Sequence, residues 1–368
     1  MSDDNLFDVR GLQKYFPIRG GLVKKQMGSV KAIDKIDFEI KRGQTLGVVG
    51  ESGCGKTTTG RCVLMLTPPT GGNIYYKMPS DVRDRMIELE EEETVLNAPK
   101  GDGGKRPKRV KHKTIPELET IRDTYSLNRR NADDLRRMRK DMQIVFQDPY
   151  SSLNPRMLIK DIIAEPLKLH GISSGTNATA RVKELMERVG LAPEHIYRYP
   201  HEFSGGQRQR IGVAKALALN PDFIVLDEPT SALDVSVQSQ ILNLLNDLQA
   251  ELNLTYMFIS HDLSTIKYMC DFVNIMYLGK IVESGPKDEI FSRYLHPYTE
   301  ALLGSIPVPD PRLKRKRVPL SGDIPSPANP PKGCRFHTRC RYREAICEEV
   351  EPKLIDKGNG HMVACHFR

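Results

Sequence analysis

Gly50-Glu51-Ser52-Gly53-Cys54-Gly55-Lys56-Thr57 is the stretch whose reading decides the fold. Ahead of it, Thr45-Leu46-Gly47-Val48-Val49 is short, apolar and partly β-branched, which suits a strand buried on both faces. Behind it, Thr58 to Leu66 can form a helix until Pro68-Pro69 stops it. The spacing G-x-x-x-x-G-K-T between a strand and a helix is that of a P-loop, in which backbone N–H groups close around phosphate oxygens and the helix N-terminus adds partial positive charge. Lys56 is then expected to reach the β- and γ-phosphates. The Thr57 hydroxyl is expected on Mg²⁺, with Thr58 beside it at the helix start. The chain is read as one that binds a nucleoside triphosphate.

With 368 residues there is room for one large domain with an appendage, or for two domains. A hydrophobic content of 39% and a charged content of 28% describe a globular protein, and no apolar run approaches the roughly 18–20 residues of a membrane helix. Met1-Ser2-Asp3-Asp4-Asn5 carries acid where a secretory leader is basic, so a cytoplasmic location is expected. The net charge of +8 is concentrated in Lys100 to Lys113 and in Lys314-Arg315-Lys316-Arg317. Both runs lie beside Gly or Pro and read as solvated loop charge, so no specific nucleic acid is expected. Three cysteines are scattered: Cys54 in the loop, where its backbone is what matters, and Cys62 and Cys270, read as small apolar packing residues.

Further along, Leu6 to Leu12, Val30 to Ile40 and Asn73 to Tyr76 read as strands. Residues 78 to about 133 break the pattern with Glu90-Glu91-Glu92-Glu93, a basic Gly-rich middle and no sustained apolar face. They read as an insertion with short helices and a flexible centre. Met142 to Phe146 restores a strand, a helical stretch runs from Arg181 to Val189, and a helix is expected from about Ser204 to Leu219. Strand 222–227, helix 237–252 and strand 255–259 then alternate, which implies a parallel sheet with crossover helices. After about Tyr294 the prolines multiply, and the reading is a linker or extended appendage rather than continued sheet. The expected division is 1–305 and 306–368.

A second set of motifs narrows the class. Phe203-Ser204-Gly205-Gly206-Gln207 stands about twenty residues ahead of an apolar strand that ends in Asp227-Glu228, and Ser260-His261-Asp262 follows the next strand. In this combination the chain resembles the nucleotide-binding subunit of an ABC transporter over residues 6 to about 305. The resemblance implies an α/β P-loop ATPase fold with a mostly parallel core sheet, an antiparallel β subdomain and a helical subdomain. It implies that Ser204, Gly205, Gly206 and Gln207 contact ATP bound to an opposing subunit, so that two ATPase subunits sandwich two nucleotides. Asp227 resembles the carboxylate that holds Mg²⁺, Glu228 the general base and His261 the switch histidine. Gln147 resembles the glutamine that approaches Mg²⁺ and the attacking water. Asp234, in Ser231-Ala232-Leu233-Asp234, belongs to the loop linking the two sites. Phe16 is the choice for stacking on adenine, with Tyr15 as the alternative.

The last 35 residues hold Cys334, Cys340, Cys347 and Cys365 in the spacing C-x5-C-x6-C-x17-C. Four thiols on a segment too small for its own core suggest a metal that closes it, and Cys₄ chemistry suits zinc or an iron–sulfur cluster. His337, His361 and His366 are spare ligands. This tail, with His296-Pro297-Tyr298-Thr299 and Gln147 to Pro155, resembles ATPases of oligopeptide/dipeptide ABC importers, and the F-type ATPase more than its D-type partner. That resemblance implies a [4Fe–4S] cluster on the four cysteines and a place on the cytoplasmic face of the membrane. It also implies a second, different ATPase, two transmembrane permease subunits and an extracytoplasmic binding protein. The rival readings are a soluble ABC ATPase acting on nucleic acid or ribosomes, and an exporter ATPase.

Overall fold

The computed structural model describes residues 5–20, 25–97, 115–304 and 322–368. The chain opens with a long hairpin, β1 (Asn5–Gly20) and β2 (Lys25–Lys41), then β3 (Thr45–Val49), α1 (Lys56–Val63) and β4 (Gly71–Tyr76). α2 (Ser80–Leu96), α3 (Pro116–Tyr125) and α4 (Ala132–Met138) follow before β5 (Met142–Val145), α5 (Ile159–Leu169), α6 (Gly175–Arg188) and α7 (Gly205–Leu217). The regular alternation comes next: β6 (Phe223–Asp227), α8 (Val235–Leu252), β7 (Thr255–Ser260), α9 (Leu263–Met269) and β8 (Phe272–Tyr277). The chain closes with β9 (Lys280–Pro286), α10 (Lys287–Ser292), α11 (Pro297–Gly304), α12 (Ala345–Glu349), β10 (Ile355–Asp356) and β11 (Met362–Val363).

Two sheets result. β2-β1-β4 is antiparallel, and the main sheet runs β10-β11-β9-β8-β3-β7-β6-β5, with β5, β6, β7, β3 and β8 mutually parallel. Successive residues of a strand face opposite sides, and β6 shows the result. Ile224 and Leu226 enter a core shared with α5 to α8, while Phe223 and Val225 enter a second core shared with the hairpin and α1. Both layers bury their apolar face on this sheet, which leaves the C-terminal ends of β3 and β6, where Gly50 and Asp227 stand, at its upper rim.

Local chemistry sets the element ends. Ser204 caps α7 by accepting the Gln207 N–H at 3.3 Å, and Asp234 caps α8 by accepting the Val237 N–H at 3.0 Å. Met65 adopts a left-handed φ of 52° just after α1, so that helix ends before the prolines that were expected to stop it. The stretch after Met78 does have an apolar face, contrary to the sequence reading. Met86 and Leu89 of α2 pack with Leu118 and Ile121 of α3 against Tyr75 of β4. The flexible centre and both basic runs fall outside the described residues.

The tail also departs from expectation. β11 pairs antiparallel with β9 (Met362 with Ser284, Val363 with Glu283), so the chain does rejoin the main sheet. Phe336 is buried and joins the first core, with ring centroids 5.3 Å from Tyr277 and 5.4 Å from Tyr298. The appendage thus has no separate core because it borrows that of the sheet.

Candidate functional site

The loop from Gly50 to Gly55 is shaped by what surrounds it. A Cβ on Gly55, which has φ 111°, would lie 2.2 Å from the Ala32 carbonyl oxygen. The Cys54 N–H donates to the Glu51 carbonyl at 3.3 Å and the Cys54 carbonyl accepts the Gly279 N–H at 2.9 Å. Its side chain turns away into the second core, so Cys54 serves by packing as well as by backbone. Cys62 and Cys270 are likewise buried, and burial pushes the Cys62 thiol up to about 12. Lys56, the first residue of α1, is buried and folds back so that Nζ donates to the carbonyls of Gly50 at 2.8 Å and Glu51 at 3.0 Å.

Above this loop lies a cavity of about 490 Å³. Its walls are Ser52, Gly53, Gly55, Lys56, Thr57 and Thr58 from the loop and helix, Val30 and Ala32 from β2, and Gln147, Glu228 and His261 from three strand ends. Thr57 Oγ1 donates to Asp227 Oδ1 at 2.8 Å. Asp227 is only 3% exposed, and burial raises its carboxyl pKa while the Thr57 bond opposes the rise. A hydroxyl and a carboxylate held together in a desolvated corner are the oxygen donors that a hard divalent cation takes.

Glu228 sits beyond the end of β6 with φ 47°, a conformation that costs a non-glycine residue about 1–3 kcal/mol. Its N–H donates to the Ile259 carbonyl at 2.9 Å, which fixes the turn. Its Oε2 accepts from Gln147 Nε2 at 3.1 Å and faces His261 Nδ1 at 3.1 Å. One carboxylate oxygen is therefore held between an amide and an imidazole while the cavity stays open beside it.

Ser204, Gly205, Gly206, Gln207 and Asp234 do not line this cavity. Ser204 and Gln207 form a reciprocal cap, with the Gln207 side chain accepting the Ser204 N–H at 3.0 Å. Val237 lies so close that a Cβ on Gly206 would sit 2.3 Å from it. Sequence reasoning missed the partner of this helix: Arg208 stacks 4.2 Å from the ring centroid of Tyr150, three residues past Gln147. Phe16 is 40% exposed and outside the cavity wall, with Lys14 Nζ 5.1 Å from its ring centroid; its cross-strand neighbour Val30 is in the wall. Tyr15, the alternative, gives its hydroxyl to Asp34.

The four tail cysteines are free thiols and line one small cavity together with His337 and His366. Burial pushes the Cys334 thiol up to about 11, and Cys347, Cys340 and Cys365 add to the rise. Among the described residues no group of three or more His, Cys, Asp or Glu side chains is arranged to hold a metal ion. His361 lies elsewhere, buried with Nε2 2.7 Å from Glu283 Oε1.

The fold is that of a nucleotide-binding cassette. The dimeric bacterial ABC transporter cassette MJ0796 superposes with a TM-score of 0.57 at 23% identity, over 76% of this chain and 98% of that one. The cbiO1 subunit of the cbiONQ ABC transporter of Clostridium perfringens gives 0.55 at 22% identity, over 79% and 92%. The ABC transporter family matches residues 33–101 and 108–231, and the oligopeptide/dipeptide transporter C-terminal region matches 282–347. The oligopeptide transport ATP-binding protein AppF of Bacillus subtilis is 46% identical over 100% of this chain and 98% of its own length. The dipeptide transport ATP-binding protein DppF of Haemophilus influenzae is 44% identical over 98% and 96%. The chain belongs to the ABC transporter family and is one of its ATP-hydrolysing subunits. Among the described residues no helix is long and apolar enough to cross a membrane.

Proposed function

We propose that this chain powers the import of di- or oligopeptides, as one of two different ATPase subunits beneath two permease subunits served by an extracytoplasmic binding protein. Its similarity along nearly its whole length to relatives named for oligopeptide and dipeptide transport supports the cargo, and the matched C-terminal region supports the subfamily. The single observation that carries the chemistry is the Glu228 carboxylate, held by Gln147 and His261 at the mouth of the phosphate loop.

In this reading Ser52 to Thr58 hold the phosphates and Lys56 leaves the Gly50 and Glu51 carbonyls for the phosphate oxygens. Thr57, Asp227 and Gln147 would hold Mg²⁺, which would neutralise charge on the phosphates. Glu228 takes the proton of the attacking water, and His261 keeps its carboxylate aimed at that water. Ser204 to Gln207 and Asp234 lie outside this cavity because they serve the nucleotide of the opposing subunit. Phe16 stacks on adenine from the rim beside Val30. Cys334, Cys340, Cys347 and Cys365 would hold a [4Fe–4S] cluster, which would supply a covalent tie between distant parts of the tail. All four cysteines are free and line one small cavity, and an all-thiolate set is the ligand chemistry such a cluster takes.

The test is the full chain and its Glu228→Gln variant, each isolated from native membranes in mild detergent. Two multi-spanning subunits and a second ATPase are expected with both. The variant is expected to bind ATP while losing about 10²–10⁴-fold in hydrolysis. Ribosomes or nucleic acid in place of membrane subunits would overturn the transport reading, and undiminished hydrolysis would remove Glu228 as base.

A further inference from the structure

The phosphate loop is gripped from the far end of the chain. Every polar group of Glu51 is occupied. Its N–H donates to Tyr298 Oη at 2.8 Å, its carbonyl accepts Lys56 Nζ at 3.0 Å, and its carboxylate takes Nη1 and Nη2 of Arg339 at 2.7 and 3.0 Å. Arg339 is buried, and Nη1 also reaches Tyr277 Oη at 3.4 Å, while its Nε has no partner. The pair is half-buried, with Arg339 enclosed and the Glu51 side chain 21% exposed, and one N–H is unpaired, so desolvation of the guanidinium offsets much of the attraction. What such a two-pronged pair does supply is direction: it fixes where the Glu51 side chain, and with it the first turn of the loop, can lie.

Two more residues of the same tail touch the chain next to the cavity wall. Arg335, also buried, donates to Asp34 and to the Leu278 carbonyl, and Asp34 and Cys54 share Gly279 through backbone bonds of 2.9 Å each. The Lys31 N–H, between the wall residues Val30 and Ala32, donates to the Pro327 carbonyl at 3.1 Å. Arg335 follows Cys334 and Arg339 precedes Cys340, so both arginines are presented by a segment whose ends are two of the cavity-lining cysteines.

We propose that Arg339 is a positioning residue for ATP binding: through Glu51 the cysteine-rich tail sets the shape of the phosphate loop, and so tunes nucleotide affinity without touching nucleotide. The proposal rests on the cavity above Lys56 being the ATP site, and on nothing about what the cysteines hold.

The test measures affinity of the full chain for a fluorescent ATP analogue, and KM and kcat of the intact transporter. The variants are Arg339→Ala, Arg339→Lys, Glu51→Gln, the double variant Glu51→Gln/Arg339→Ala, and Lys56→Ala. Arg339→Ala is expected to weaken binding about tenfold, with KM rising in step and kcat changing far less, and Arg339→Lys to restore part of the loss. The double variant should bind no more weakly than Arg339→Ala alone, since the two changes break one interaction. Affinity unchanged in Arg339→Ala while its melting temperature falls would overturn the proposal and leave the pair purely structural. If Arg339→Ala does not fold, Glu51→Gln and Arg339→Lys decide by the same readout. Wild-type binding by Lys56→Ala would instead overturn the site reading beneath it.

Discussion

His296 makes the acid sensitivity of the tail anchor calculable. Its ring is buried, its Nδ1 accepts the Tyr298 N–H at 3.0 Å, and burial pushes its pKa down to about 3. An accepting Nδ1 places the single ring proton on Nε2. The unfolded chain takes up a proton near pH 6.5 that the folded chain refuses until about pH 3. Stability is therefore intact above that upper value and is lost as pH falls through it, by about 1.4 kcal/mol per pH unit. Between about pH 8 and pH 5 the loss from this one group is about 2 kcal/mol. His296→Gln keeps a neutral acceptor for Tyr298 and removes the titration. Urea unfolding followed by circular dichroism, on wild type and variant across this range, isolates the term because every other titrating group is common to both. The variant is expected to be less stable at the upper end, from lost packing on Phe336, and to gain about 2 kcal/mol on wild type by the lower end. A difference between the two proteins that stays constant within about 0.5 kcal/mol over the range would refute the reasoning.

Gly55→Ala puts a methyl 2.2 Å from the Ala32 carbonyl at a φ of 111°, so the loop must open. ATP affinity is expected to fall more than about tenfold with an unchanged far-ultraviolet spectrum, which titration with an ATP analogue would check. Cys340→Ser is expected to lose iron from anaerobically purified protein and to shorten the survival of the tail under protease. Unchanged iron content and unchanged cleavage would defeat the cluster assignment.

How far the sequence could be read follows from how local each signal is. The phosphate loop, the Asp227-Glu228 pair and the Ser204 cap are each encoded within a few neighbouring residues, and strand and helix alternate around them. The contact of Gln147 and His261 on one Glu228 oxygen was legible only through the family resemblance. The grip on Glu51 was not legible at all: Tyr298 and Arg339 lie 247 and 288 positions away and carry no local pattern. The return of the tail to the sheet was hidden because β11 has only two residues, too few to show a period. The α2–α3 pair was missed because its four buried apolar side chains are diluted among acidic residues on a largely solvated surface.

The docking of β11 on β9 also bears on how the protein survives in a crowded cell. Without the tail, β9 would present unpaired backbone groups along its outer edge, around Glu283 and Ser284, where another chain could pair. With it, the outermost strand is β10, two exposed residues long, which offers an intruder almost nothing to zip onto. A nonsense truncation ahead of Cys334 would thus leave that edge of β9 uncovered as well as shorten the chain.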